Sequence, residues 1–438
     1  MRMSGLSLGS IPPLGIPFRF FLTAPWFGVL AALLMLVSGP ELWTSRQHPA
    51  LIGLTHLVTL GFMTMTMLGA LFQLLPVLSG VAVPAARPVA LLVHLSLVAG
   101  VLLLCAGLVF GAPLVLVLGV PLLVLAFLGF IVALGTRLVT KLGGGDSIHA
   151  IRLAVVALLA TIGLGLYRVL AYYWPLPSVP DLAVIHVSWA LLGWVLILIM
   201  GVSFQVIPMF QVTPDYPSWL TRVLPLLLFA GLLLRGFVDM PAAAGGLVMV
   251  MGVAVLTWAG FSLHLMRYRK RRLPDMSVRF WKLGLSSLVL ATVVFGMVFT
   301  LPDAERPVLN SGTGLILCGV LMILGFACSV IMGMLQKIVP FLAFLHLQRL
   351  CASDIRAVRR LPNMHVIIRP QYSTWLFRLH ALALAAVLGA VVYGPLTAVA
   401  GFVLLLDFGW LALLLTRAAL IYRRTRHGII ALQTDRAG

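Results

Sequence analysis

The chain is a succession of apolar runs, each long enough to cross a lipid bilayer, and this pattern restricts it to a bundle of membrane-spanning helices. The runs lie at roughly 17–38, 50–78, 88–110, 113–136, 150–173, 182–210, 218–238, 241–266, 279–301, 312–345, 374–393 and 395–421. At about 1.5 Å of rise per residue, each reaches across about 30 Å of hydrocarbon. Lipid offers no partner to a free amide or carbonyl, so such runs fold as helices that close their hydrogen bonds internally. With 62% hydrophobic and 9% charged residues among 438, the chain cannot hide its apolar surface in a water-soluble core. The expectation is an all-α polytopic membrane protein of twelve transmembrane helices.

The formal charge of +19 does not indicate nucleic-acid binding, because the basic residues gather in short connections between runs. Every second connection is basic: Lys141 and Arg152 flank the fourth, Arg267, Arg269 and Lys270 lie in the eighth, and Arg356, Arg359 and Arg360 in the tenth. Arg423, Arg424 and Arg426 follow the last run, whereas the alternate connections hold little beyond Arg46 and Arg235. The positive-inside rule then places both termini in the cytoplasm of a bacterial-type inner membrane, as an even number of spans requires. The first run is of full membrane length and lacks a small-residue processing site, so no cleavable leader is expected. Cys105, Cys318, Cys328 and Cys351 fall in runs or at a cytoplasmic end, which argues against a disulfide framework.

One motif occurs three times. Around Gly61 the chain reads LGFMTMTMLGALFQLLPVL, around Gly193 LGWVLILIMGVSFQVIPMF, and around Gly325 LGFACSVIMGMLQKIVPFL. The shared pattern is Gly61/Gly69/Gln73/Pro76, Gly193/Gly201/Gln205/Pro208 and Gly325/Gly333/Lys337/Pro340. These stretches fall in runs 2, 6 and 10, and the run before each opens alike, with FRF at Arg19, IRL at Arg152 and VRF at Arg279. The period is therefore four helices. A single membrane domain, 1–438, divides into units 17–141, 147–266 and 277–422, followed by a cytoplasmic tail, 423–438. Small residues at this spacing let helix backbones approach closely in lipid, and proline loosens the last turn.

Twelve helices in three pseudo-equivalent groups of four, with a histidine near the outer end of a second helix, resemble subunit I of the haem-copper oxidases and nitric oxide reductases. The stretch around His56 is most similar to the NnrS-type haem and copper membrane proteins. Their corresponding helix opens on a His-x-His-Glu string, then has Gly-Phe, a second Gly eight residues on, and a later Pro and Gly. His56 matches the second histidine, and Gly61-Phe62, Gly69, Pro76 and Gly80 follow in register. The first histidine and the glutamate are replaced by Leu54 and Leu57. Run 7, which in the oxidases supplies a histidine pair to copper, has no histidine, and the outer half of run 10 has none either. The resemblance implies haem b and copper as cofactors, a connection with nitric oxide or respiratory redox chemistry, and a respiratory electron-transfer partner, without a competent oxygen-reducing centre.

The residues themselves leave more than one reading open. Of ten histidines only His48, His56 and His186 lie in the outer half, the last two within the membrane. A polar side chain there has a partner or a purpose, so each is a metal or haem ligand or a donor to a neighbouring carbonyl. At about 100° per residue Met63 and Met67 share a side with His56, giving soft thioethers suited to Cu(I) or, equally, adaptable packing. His186 shares a face with Gly193 and Pro208 instead, so helical phase does not direct both histidines at one centre. Cys318 occupies the slot of His186 in the third stretch and is a candidate ligand or a small filler. Arg168, near Tyr167, Tyr172 and Tyr173, suits haem propionates or snorkels to the interface. Asp407, deep in run 12, is a proton or cation site, a helix clamp or the partner of a buried histidine. Lys337 reaches the cytoplasmic interface. His94, His346 and His380 form a cytoplasmic-side polar cluster or are solvated singly.

No phosphate-binding loop, Cys-x-x-Cys pair or nucleophile with a base appears. The expectations are thus an NnrS-like haem- and copper-binding protein, a permease for copper or another small solute, or a scaffold that assists assembly of a respiratory complex. Exposed helix faces leave a homo-oligomer open.

Overall fold

The computed structural model describes residues 11–79, 83–140, 145–171, 173–236, 241–270, 275–301, 305, 311–351 and 354–434. Lys141, Tyr172 and Gly80 lie outside them. Among the described residues the chain is helical without strands, and twelve helices are long and apolar enough to cross a membrane. Spans 1 to 4 are Gly15–Trp43, Pro49–Val77, Ala86–Val109 and Pro113–Gly135; spans 5 to 8 are Asp146–Leu170, Leu182–Gln211, Ser218–Arg235 and Ala244–Tyr268. Spans 9 to 12 are Met276–Thr300, Gly312–Cys351, Pro370–Val392 and Gly394–Thr434. Twelve crossings return the chain to the side on which it starts, here termed the terminal side.

Spans 2 and 10 are the centre of the bundle, with 78% of their apolar windows buried, whereas spans 4 and 5, at 28%, are peripheral. The glycines of spans 2, 6 and 10 bring the preceding span close. A Cβ on Gly61 would stand 2.3 Å from Phe27, one on Gly193 2.7 Å from Ala157, and one on Gly325 2.7 Å from Ser287. The second glycines do the same one level on, where Gly69, Gly201 and Gly333 would each meet Phe20, Ala150 or Phe280 at 2.6 Å. Each glycine pair is thus the groove into which the preceding span presses, close contact that replaces the missing hydrophobic drive in lipid.

The three stretches also share an uncommon backbone. Leu57–Thr64, Trp189–Leu196 and Leu321–Cys328 are π-helical, each beginning four residues before its first glycine. A π turn bonds each amide five residues back and widens the helix, and such segments concentrate at functional sites. The three segments meet inside the bundle: Trp194 Nε1–H donates to Thr64 Oγ1 at 3.1 Å, and the segment of span 10 packs on both others.

Span 12 is longer than a bilayer needs. Its helix continues unbroken from Thr397 to Thr434, 38 residues where about 20 suffice to cross a bilayer, and 435–438 lie outside the described residues. Ile429 on this extension joins Leu347, Cys351 and Ala357 in a small separate core on the terminal side.

Candidate functional site

Span 2 reaches His56 two turns below its far end, and span 6 reaches His186 about one turn below its own. The two rings come together. The rings are stacked, their centres 6.4 Å apart and their planes 22° from parallel. Each ring is fixed through Nδ1, His56 on its own span at Ile52 O (2.8 Å) and His186 across to Thr161 O of span 5 (3.1 Å). A carbonyl can only accept, so Nδ1 of each ring carries the proton. In the neutral imidazole Nε2 of each is then the lone pair, and it has no hydrogen-bond partner among the described residues. This is the arrangement that orients metal-ligating imidazoles. Gly165 of span 5 makes room for it, since a Cβ there would stand 3.1 Å from His186 Cε1.

Helical phase separates these histidines, and the structure brings them together. A constant rotation of about 100° per residue does not hold here, because a π-helical segment begins just after each histidine and takes in Met63 on span 2 and Gly193 on span 6. The same segment separates His56 from Met67, so a continuous His56-Met63-Met67 stripe is not a consequence of spacing. Met63 is fully buried in the core, and Met67 lines a cavity nearer the terminal side.

Arg168, in the last turn of span 5, lies within electrostatic reach of both imidazoles. It makes no ion pair with another described residue. Tyr167 beside it donates to Pro177 O at 2.6 Å, and Tyr173 packs edge-on against Trp174. Cys318 does not join the pair. Its Sγ donates to Ala291 O of span 9 at 3.7 Å. The slot is nevertheless the same: Thr161 and Ala291 each follow by four residues the side chain on which the first glycine packs. His186 and Cys318 thus address equivalent carbonyls of equivalent spans.

A second polar group is sealed within spans 10 to 12. His380 Nδ1 lies 2.7 Å from Asp407 Oδ2, and its Nε2 lies 2.9 Å from Ser329 Oγ. All three side chains are fully buried, and Asp407 Oδ1 has no partner. The pattern Ser329-His380-Asp407 connects three spans that are distant in sequence, so no local motif announces it. His94 is occupied elsewhere, 2.9 Å from Thr23 Oγ1, and Nε2 of His346 is buried without a partner. The three histidines grouped by side in the sequence therefore have separate surroundings.

Lys337 turns to an acid. Its Nζ lies 2.5 Å from Asp275 Oδ2, and Asp275 also caps span 9 by accepting from the Ser277 amide. Burial pushes the Asp275 carboxyl up, but the Lys337 contact and the Ser277 amide outweigh it and hold the group below the ordinary carboxylate value.

Among the described residues no three His, Cys, Asp or Glu side chains gather where they could hold one metal ion. The His56–His186 pair therefore offers two nitrogens and no more. No family model and no curated protein matches the chain.

Proposed function

We propose that the chain is a haem b-binding membrane protein in which His56 and His186 would hold the iron. The observation that carries this reading is the 6.4 Å separation of rings whose Nδ1 atoms are both fixed to carbonyls. Two protein nitrogens suffice for haem, because the macrocycle supplies the other four, whereas zinc or Cu(II) requires a third donor, and no third His, Cys, Asp or Glu joins the pair among the described residues. Arg168 adds a reason: its cation repels a bare metal ion and attracts haem propionates. Cu(I), which accepts two nitrogens, is the alternative occupant of the same pair.

Haem bound here supplies a one-electron redox couple. Held by both imidazoles, the group would serve as an electron carrier, and the link with nitric oxide stays with the resemblance. The shared π-helical segments and glycine contacts support three pseudo-equivalent four-helix units; the haem-copper subunit I kind, a bacterial-type inner membrane with cytoplasmic termini and a respiratory electron-transfer partner stay with the sequence reading. The test is the absorption spectrum of the chain purified from haem-replete cells. A Soret band lost in His56→Ala and in His186→Ala supports the reading, and a colourless preparation ends it.

A further inference from the structure

Span 11 opens on an alternation of cations and aromatic rings at helical spacing: Arg369, Tyr372, Trp375 and Arg378. Residues three apart are neighbours on a helix surface, and here they stack. The Arg369 guanidinium stands 5.9 Å from the centre of the Tyr372 ring, and that of Arg378 stands 5.3 Å from the centre of the Trp375 ring. A third cation comes from span 12, where Arg417 stands 4.8 Å from the same Tyr372 ring. Span 12 also fixes that ring, because Trp410 packs against it edge-on and its Nε1–H donates to Tyr372 O at 3.1 Å. None of the three guanidiniums makes an ion pair or a hydrogen bond with a described residue. Two cations that share one ring repel each other, and an anion held by both relieves the repulsion through charge-assisted hydrogen bonds.

Position decides which anion. Span 11 begins and span 12 ends on the terminal side, so the cluster stands near the level at which the two spans leave the hydrocarbon. Deeper in the membrane, span 12 presents Phe402, Leu406 and Leu413, all exposed. At about 100° per residue they lie on the same face as Arg417. Trp375 is exposed too, an amphipathic ring of the kind that settles at headgroup level. An acyl chain can lie along the apolar stripe while its headgroup meets the arginines, whereas free phosphate or an acidic peptide gains nothing from the stripe.

We propose that Arg369 and Arg417, with Tyr372 as their shared platform and the Arg378–Trp375 stack one turn on, bind the phosphodiester of one anionic phospholipid whose chains lie along Phe402, Leu406 and Leu413. A zwitterionic headgroup brings its own cation to the cluster and binds less well. The site lies apart from the His56–His186 pair and does not depend on haem being bound.

The test titrates the purified full chain, in an uncharged detergent, with dioleoylphosphatidylglycerol, dioleoylphosphatidylcholine or inorganic phosphate, and follows thermal unfolding. A ligand bound to the folded state stabilises it in proportion to the logarithm of its concentration over its Kd. The expected result is a saturable upward shift with phosphatidylglycerol, an apparent Kd about tenfold weaker for phosphatidylcholine, and no shift with inorganic phosphate at the same concentration. Arg369→Gln with Arg417→Gln should erase the preference for the anionic lipid. Arg423→Gln with Arg424→Gln, which removes equal charge from the last turns of span 12, should keep it. Where the first pair does not fold, Arg369→Gln, at an exposed side chain, decides alone by weakening the preference at least about threefold. Equal affinity for the two lipids, a shift reproduced by inorganic phosphate, or the same loss of preference in both double variants overturns the proposal.

Discussion

His186 Nδ1 is fixed to the Thr161 carbonyl of the neighbouring span, and its ring sits over a glycine, Gly165, that leaves 3.1 Å for a Cβ. The orientation of this ligand candidate is thus set by span 5, not by span 6. Gly165→Val should tilt the imidazole away from His56 while leaving the spans folded. We expect haem affinity to fall by about tenfold or more, the range seen when groups that orient a metal ligand are lost. Haem content per purified chain, measured by the pyridine haemochrome, checks this.

The glycines of the repeated motif make a graded prediction. Gly61→Ala drives a methyl against the inner carbons of Phe27, and Gly201→Ala drives one against Ala150. Each should lose about 1–3 kcal/mol, as overpacking does in a well-filled interior. Gly319→Ala and Gly409→Ala, which meet nothing within 4 Å, should be neutral or slightly stabilising. Thermal unfolding of the four variants in one detergent separates the two classes.

The sealed pair His380–Asp407 should behave as a unit. Asp407→Ala leaves a buried imidazole without its partner and is expected to cost about 3–5 kcal/mol. Replacing both by apolar residues, Asp407→Leu with His380→Phe, removes the unpaired group as well and should cost clearly less than Asp407→Ala. A double-variant cycle in denaturant gives the coupling directly. Additive losses would contradict a coupled pair.

Acid should release the Lys337–Asp275 contact. A carboxyl held below its ordinary value stabilises the fold at all pH values above that ordinary value of 3.8 and loses the contribution as pH falls through its lowered folded-state value. Lys337→Met should therefore destabilise the chain by about 2 kcal/mol at neutral pH. It should also flatten the decline in stability below 3.8 that the unaltered chain shows. Unfolding temperature against pH for the two chains is the measurement.

How much of this is legible in the sequence differs by residue. The twelve spans follow from the length and apolarity of the runs alone. The glycine grooves are legible too, because only glycine permits the contact and its spacing recurs. The approach of His56 to His186 is not, for two physical reasons. Apolar periodicity cannot give the rotation of span 6 relative to span 2 when both are buried on several sides. The π-helical segments also break the constant angle per residue on which phase arguments rest, and no residue type marks them. Asp407 and His380 stand out as intramembrane polar residues, but their contact with Ser329 depends on how spans 10 to 12 pack. Lys337 at the glutamine position is visible as a departure from the repeat, whereas Asp275 is visible only as a loop acid.

His56 and His186 would together hold the iron of a bound haem. Electron paramagnetic resonance of the oxidised, haem-loaded chain tests it most directly. The account predicts a low-spin ferric signal of the bis-imidazole type, conversion to a high-spin form in His186→Ala and in His56→Ala, and return of the low-spin signal when imidazole is added to either variant. A low-spin signal unchanged in either variant, or a chain that takes up no haem, would contradict it.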